Sequence, residues 1–343
     1  MNINVSTRNL DSTSSQNANS NQAKEIAFNY NTQCYEENPK ILKLKKILPK
    51  FELDDKEKYF ISTSNLQKTG LLYSDGIIYK GTINALGKRE GYGKMFLPNG
   101  SIYEGMFKDD KMQGRGRTLN IDGYIYEGEF YNSQASGYGK LISIDGTVYK
   151  GNWENDKQNG IGYQKYPDQS YYVGNFKNGV KSGKGIIYFK EGSKYEGNFE
   201  DNEIRGEGIR TWKDGRKFIG SWSHNKMKGY GIFYWPDKKK YYGQYSDDLK
   251  DGFGIFFWGN GKKFEGKWKN GKQHGYGAIY KLNESQNEEE TKYGLWEYGR
   301  NIEIFQSRKE IDKVVNEIAE AKDTPEYKEF QTKIEKYENI LEK

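Results

Sequence analysis

Tyr195-Glu196-Gly197-Asn198-Phe199 sets a ring, a glycine and a second ring on alternate residues, with polar side chains between them. A period of two belongs to a strand with one buried face, so the two rings share a side. Asp201 and Asn202, both good turn formers, follow, and the chain returns through Gly206-Glu207-Gly208. The Gly-x-Gly leaves two positions on one face without side chains. A ring of the same or the next hairpin can lie flat on the backbone there, which accounts for glycine where strand propensity disfavours it. The stretch reads as a β-hairpin.

Outward from this unit the pattern repeats. The glycine of Tyr/Phe-x-Gly recurs at Gly81, Gly105, Gly128, Gly151, Gly174, Gly197, Gly220, Gly243 and Gly266, in one step of 24 and then steps of 23. Gly-x-Gly begins at Gly91, Gly114, Gly137, Gly160, Gly183, Gly206, Gly229, Gly252 and Gly275, always 23 apart. Two markers in phase over nine copies define an internal repeat. Six residues after the first glycine of that pair stand Leu97, Tyr166, Phe189, Trp212, Trp235 and Trp258, but Asn120 and Ser143 interrupt the apolar row. A second turn, as in Pro98-Asn99-Gly100, leads into the next unit; Gln169 and Lys238 replace its glycine in two copies. One hairpin is marginal in water, so neighbours must stack to bury their rings. Eighteen such strands at about 4.8 Å each would extend about 85 Å.

The unit Phe264-Glu265-Gly266-Lys267-Trp268-Lys269-Asn270-Gly271-Lys272-Gln273-His274-Gly275-Tyr276-Gly277 resembles the MORN repeat (membrane occupation and recognition nexus), which reads approximately Tyr-x-Gly-x-Trp-x-x-Gly-x-x-His-Gly-x-Gly. The resemblance covers about residues 70 to 300. It implies an all-β repeat array of stacked antiparallel β-hairpins, an elongated twisted sheet. Nine full units run from about 79 to 281 within an array placed at 66–300. Gly70 to Gly76 looks like half of a preceding unit, and Tyr293-Gly294-Leu295-Trp296 like a decayed tenth after the polar insert Asn283 to Thr291.

The flanks differ from the array. Residues 1–65 are expected to be mostly a disordered tail; residues 1 to about 37 in particular are rich in Ser, Asn, Gln and Thr and lack apolar density. Within this flank lies a basic amphipathic segment, Lys40 to Leu48, which either docks on the first hairpin or touches an acidic partner or anionic membrane. Residues 301–343 are expected to be an α-helical extension: Ser307-Arg308-Lys309-Glu310 is a capping box, and Asp323-Thr324-Pro325 restarts the helix. Ile311, Val315 and Ile318, then Tyr327, Phe330, Ile334, Tyr337 and Leu341, form an apolar stripe. The stripe packs back on the end of the β-rod, or pairs with a partner helix or a second copy of the chain.

The 343 residues carry 54 basic and 48 acidic side chains, interspersed for a net charge of +6, so nucleic-acid binding is not implied. Cys34 is the only cysteine, and no apolar run is long enough to span a bilayer or serve as a signal core. An intracellular protein is expected. No phosphate loop, nucleophile elbow or kinase motif occurs, and His224 and His274 lie in turns at different phases, so neither an enzyme nor a cofactor or metal site is expected. One bias stands out: Lys238, Lys239, Lys240, Lys262, Lys263, Lys267, Lys269 and Lys272 make the last three repeats basic. They are either a candidate patch for an acidic surface, protein or anionic lipid, or a solvated edge that discourages strand aggregation.

Known MORN proteins occur in ciliary spokes and linkers, in membrane or cortical adapters, and as arrays attached to enzymes. About 65 residues before the array and 43 after it leave little room for a catalytic domain, and Asn2 is not the glycine that myristoylation requires. The resemblance therefore implies a non-catalytic scaffold binding proteins of a cytoskeletal assembly, most readily a ciliary axoneme complex such as the radial spoke. The alternative is a peripheral adapter binding anionic phospholipid weakly.

Overall fold

A computed structural model describes residues 33–48, 50–73, 75–282 and 288–341. Their strands form an open antiparallel sheet of hairpin repeats, 21 strands in all, and the described residues fall into two compact units that divide between residues 180 and 181.

The first unit opens with three helical segments, α1 (Gln33–Glu36), α2 (Pro39–Lys45) and α3 (Asp55–Thr63). Ten strands follow: β1 (Gln67–Leu72), β2 (Ile78–Ile83), β3 (Arg89–Phe96), β4 (Ile102–Lys108), β5 (Lys111–Asn120), β6 (Tyr124–Tyr131), β7 (Gln134–Ser143), β8 (Val148–Glu154), β9 (Lys157–Lys165) and β10 (Tyr171–Lys177). The second unit contains β11 (Val180–Tyr188), β12 (Lys194–Glu200), β13 (Glu203–Thr211), β14 (Lys217–Ser223), β15 (Lys226–Tyr234), β16 (Lys240–Ser246) and β17 (Leu249–Phe257). It continues through β18 (Lys262–Lys269), β19 (Lys272–Leu282), β20 (Glu288–Glu297) and β21 (Arg300–Ile304), and ends in α4 (Arg308–Asp323) and α5 (Pro325–Leu341).

The register explains the repeat. Within each unit the Tyr/Phe-x-Gly glycines face the second glycine of a Gly-x-Gly on the neighbouring strands, except that Gly81 faces Thr69 on β1. In the first unit Gly81, Gly93, Gly105, Gly116 and Gly128 pair in succession. The tyrosine two residues before lies across each such pair: a Cβ on Gly93 would stand 2.3 Å from Tyr79 Cε2, and one on Gly81 would stand 2.4 Å from Tyr79 Oη. The ring then donates its hydroxyl to the backbone, Tyr79 to the Thr82 carbonyl and Tyr103 to the Met106 carbonyl, both at 2.8 Å.

The first glycine of Gly-x-Gly serves a different purpose. Gly114 has φ +86° and sits in a bulge, where pairing jumps from Gly105 opposite Gly116 to Phe107 opposite Met112. Positive φ, rather than room for a ring, keeps this position glycine. The hairpin tips are equally demanding: Asp109 and Asp110 have φ +48° and +68°, as a type I′ turn requires.

Adjacent rings meet edge to face. In the first unit Tyr79, Phe107, Tyr103, Phe130, Tyr126, Trp153, Tyr149, Phe176 and Tyr172 form an unbroken zipper with centroids 5.0–5.3 Å apart. In the second unit a like series links Phe199 to Trp296 at 5.0–5.6 Å. Trp296, in the decayed unit, is buried against Phe264 and extends the zipper by one step. Each pair contributes about 0.5–1.5 kcal/mol beyond its buried area. The polar interruptions Asn120 and Ser143 are buried, and Asn120 donates to the Tyr124 hydroxyl at 2.8 Å.

The flanks are more ordered than the sequence suggests. The disordered tail expected over residues 1–65 lies outside the described residues up to residue 32, but residues 33–65 contain α1, α2 and α3. Asn38 caps α2, and Asp54 and Glu57 form a capping box on α3. The amphipathic segment docks: Ile41 and Leu44 of α2 are fully buried against Ile78, Phe96, Ile102, Leu119 and Ile125. Of the polar insert, residues 283–287 lie outside the described set, whereas 288–291 already belong to β20.

Candidate interaction surfaces

Strand alternation gives each unit a ring face, carrying Tyr79 and its equivalents, and an opposite helix face, on which the helices lie. In the second unit α4 and α5 cover the helix face. Val314 and Ile318 of α4 and Tyr327, Phe330, Tyr337 and Leu341 of α5 are buried in one cluster with Ile219, Ile232, Tyr242, Phe253 and Ala278. The Phe330 ring stacks on Tyr230 at 5.1 Å. Ile311 and Ile334 pack on the edge of this cluster. Val315 is 42% exposed, and Val314, one residue earlier, occupies the buried position. The stripe offered to a partner helix is thus spent on the chain's own sheet, apart from Val315.

Charges fix the register of this cover. Lys240 donates to Glu338 at 3.0 Å, Lys267 pairs with Glu317 at 2.7 Å, Lys333 donates to Glu207 at 2.6 Å, and Lys322 reaches the buried Glu265. Burial works to raise the Glu338 carboxyl, but hydrogen bonds from Tyr242 and Lys240 outweigh it and hold the group below its ordinary value. The Lys333 hydrogen bond similarly lowers Glu207. These pairs are partly solvated, so each contributes little to stability and more to which way the helices lie.

The eight lysines of the sequence-defined patch do not form one surface. Lys240 and Lys267 meet carboxylates of the covering helices, Lys263 lies 3.9 Å from Glu265 and over the Tyr280 ring, and Lys239 pairs with Asp237 at 2.7 Å. Lys238, at φ +66°, occupies the turn between β15 and β16, and Lys262 begins β18 at the same edge. Lys269 and Lys272 flank the Asn270-Gly271 tip at the opposite edge, about 20 Å away along β18. Sequence spacing counts along the chain, whereas the hairpin sends its two ends to opposite edges.

The first unit is covered by the same logic. Lys94 of β3 donates to Glu36 of α1 at 2.7 Å, which holds the Glu36 carboxyl down, and Tyr35 packs on Phe96 at 5.6 Å. Arg115 of β5 pairs with Asp54 and Glu57 beside α3 and lies over Phe51. Neither α1 nor α3 is among the elements expected from the sequence: the four-residue α1 leaves no mark, whereas Asp54-Asp55-Lys56-Glu57 is a capping box that could have announced α3.

Among the described residues no three His, Cys, Asp or Glu side chains gather as a metal site, and no helix is long and apolar enough to cross a membrane. His224 sits in a turn 2.9 Å from Arg205, and His274 packs beside Tyr298.

No curated protein sequence matches the chain. Among solved structures it is similar to the TCP10 domain of Danio rerio CPAP, at 13% identity and TM-score 0.34 over 58% of this chain and 93% of that one. It is also similar to the SAS-4 (dCPAP) TCP domain of Drosophila melanogaster, solved in complex with a proline-rich motif of Ana2, at 16% identity and TM-score 0.29 over 57% and 96%. The MORN repeat model matches nine segments, 85–102, 103–123, 126–148, 149–171, 172–194, 195–215, 218–240, 241–263 and 264–279. These segments are the hairpins whose rings and glycines build the sheet, and the chain belongs to the MORN-repeat family.

Proposed function

We propose that this protein is a non-catalytic scaffold of a ciliary axoneme complex, of the radial-spoke type, that binds other proteins across the helix face of its sheet. The observation that carries the reading is the division of labour between the two faces. The ring face is committed to the glycine and edge-to-face lattice. The helix face uses apolar side chains flanked by charges, and it already holds helices in both units through Ile41 and Leu44 and through Phe330 and Tyr337. A face that orders amphipathic helices of its own chain is suited to helices of other chains. The placement in an axoneme rests on the family resemblance.

The anionic-lipid alternative would draw on the lysines of the last repeats. Four of the eight, Lys239, Lys240, Lys263 and Lys267, have carboxylate partners within the chain, and the remainder divide between two edges. The test is localisation of a tagged full chain in a ciliated cell, followed by detergent and high-salt extraction of isolated cilia. Retention in the demembranated axoneme is expected. Release with the membrane fraction, or absence from cilia, would replace the scaffold reading with the lipid adapter.

A further inference from the structure

In the first unit the helical cover reaches β6, where Ile125 is the last residue of its apolar cluster. Beyond it the described helices add no residue of β7 to β10 to that cluster; Ile142 is buried, but the other described residues of the helix face there are partly or fully exposed. Tyr138, Ile161 and Val173 are 59%, 67% and 40% exposed there, and Tyr163 and Tyr171 pack against each other at 5.8 Å. Pairing sets these side chains in a compact grid: Lys140 lies opposite Lys150, Lys150 opposite Tyr163, and Tyr163 opposite Val173. Lys165 lies opposite Tyr171 in the next row.

The charges on this grid are uncompensated. Among the described residues Lys140, Lys150 and Lys165 have no ion-pair partner. The carboxylate opposite Lys140, Glu127, is taken by Arg117. Like charges directly opposite each other on a sheet are unfavourable unless something neutralises them. Elsewhere on this chain the neutralising group is known. Lys94 occupies the position in its repeat that Lys140 occupies two repeats later, each following the second glycine of Gly-x-Gly, and Lys94 is met by Glu36 of α1. Lys240 and Lys267 are met in the same manner by Glu338 and Glu317.

We infer that the helix face of β7 to β10 is a docking site for an acidic amphipathic helix of another protein, its apolar stripe on Tyr138, Ile161 and Val173 and its carboxylates on Lys140, Lys150 and Lys165. Four strands span about 19 Å, which a helix of about 13 residues covers. The chain's own residues 1–32 do not supply this chemistry, since Asp11 and Glu25 are balanced by Arg8 and Lys24. The inference deepens the scaffold reading and rests on it.

The probe is a fluorescent helical peptide of about 18 residues, with leucines along one stripe and glutamates beside it, titrated against the full chain. A matched peptide with lysine for glutamate, and vesicles containing phosphatidylserine, serve as competitors. The acidic peptide is expected to bind, to lose about tenfold in affinity in Lys140→Glu/Lys150→Glu and again in Ile161→Ser, and to resist both competitors. Ile161 is exposed, so its replacement leaves the fold intact. Equal affinity for all three chains, or displacement of the peptide by the vesicles, would overturn the inference. Either of these results with the chain still retained in demembranated axonemes removes the site and leaves the scaffold reading standing. Loss of the chain to the membrane fraction removes the scaffold reading itself.

Discussion

Asp248 and Met227 hold each other by two hydrogen bonds across adjacent repeats: the Met227 amide donates to Asp248 Oδ1 at 2.8 Å, and the Asp248 amide donates to the Met227 carbonyl at 3.2 Å. Asp248 also takes φ +70° at the tip of its own hairpin. The same residue therefore closes one turn and clips the preceding one. The clasp recurs as Asp110 on Arg89, Asp156 on Ala135, Asn202 on Lys181 and Asn225 on Ile204.

These two roles separate by substitution. Asp248→Gly keeps the left-handed backbone and loses only the side-chain acceptor, at a cost of about 1 kcal/mol. Asp248→Ala loses the same acceptor but, unlike glycine, keeps a Cβ at positive φ without the side-chain hydrogen bonding that lets aspartate tolerate it, and should cost about 2 kcal/mol or more. Hydrogen exchange at the Met227 amide should quicken in both variants, and denaturant unfolding should rank alanine below glycine. Equal stability of the two would mean the backbone conformation contributes nothing.

Gly254 and Gly146 test what kind of glycine each repeat needs. A Cβ on Gly254 would lie 2.2 Å from Tyr241 Oη and 2.5 Å from Cζ, beneath a fully buried ring, whereas one on Gly146, at φ +94°, would meet nothing within 4 Å. Gly254→Ala must expel the ring from its place between Tyr245 and Trp268, so a loss of about 3 kcal/mol or more is expected. Gly146→Ala pays only backbone strain, about 1 kcal/mol. Near-ultraviolet circular dichroism should change for Gly254→Ala alone; an unchanged aromatic spectrum there would show that the ring does not need the bare backbone.

The repeat was legible because ring, glycine and turn each leave a fixed mark every 23 residues, and each mark has a single physical cause. The flat seat of Tyr195 on Gly197 and Gly208 follows from the alternation alone. The first glycine of Gly-x-Gly was harder to read, because a bulge and a ring seat both call for glycine. The clasp of Asp248 on Met227 was hidden, since its partners stand 21 residues apart and one of them contributes only backbone. The candidate sites were less legible still. Val314 and Val315 are equally apolar in sequence, and only the packing of α4 on β19 and β20 selects the first. The lysines of the last repeats looked like one patch because sequence proximity cannot show that a hairpin places Lys262 and Lys269 at opposite edges.

Tyr245 stands where other repeats use Trp153, Trp222 or Trp268. Those indoles donate to the Gly139, Gly208 and Gly254 carbonyls at 3.1–3.3 Å, whereas the buried Tyr245 hydroxyl has no hydrogen-bond partner among the described residues. A buried polar group without a partner is unfavourable, so Tyr245→Phe should stabilise the chain by about 1 kcal/mol. Tyr241→Phe makes the contrast: its hydroxyl donates to the Gln244 carbonyl at 3.1 Å, and removal should destabilise by a similar amount. Thermal unfolding of the two variants should move in opposite directions. A fall for both would indicate that the Tyr245 hydroxyl has a partner in solution.

Alkali should unfold this protein through its tyrosines, with one lysine working the other way. Burial holds Tyr103, Tyr241 and Tyr245 well above their ordinary value of 10.0, and pushes Tyr124, Tyr166, Tyr327 and Tyr337 up to about 12. Above pH 10 the unfolded chain releases these protons while the folded chain keeps them, so their stabilisation is complete below that pH and is lost as pH rises through 12 and beyond. Lys250, inside the rings of Trp235, Tyr241, Phe256 and Trp268 at 4.4–5.0 Å, is pushed by burial from 10.5 down to about 8. Between those values the unfolded chain binds the proton and the folded chain does not, so this group makes stability rise with pH across that window. Tyrosinate absorbance and circular dichroism, followed together, should show a shallow gain in stability up to about pH 10 and then a steep loss in which ionisation and unfolding coincide. Lys250→Met should abolish the gain and leave the loss in place. Ionisation of the buried ring-face tyrosines, such as Tyr103 and Tyr241, at the ordinary pH in a still-folded chain would mean that the ring face is open to water.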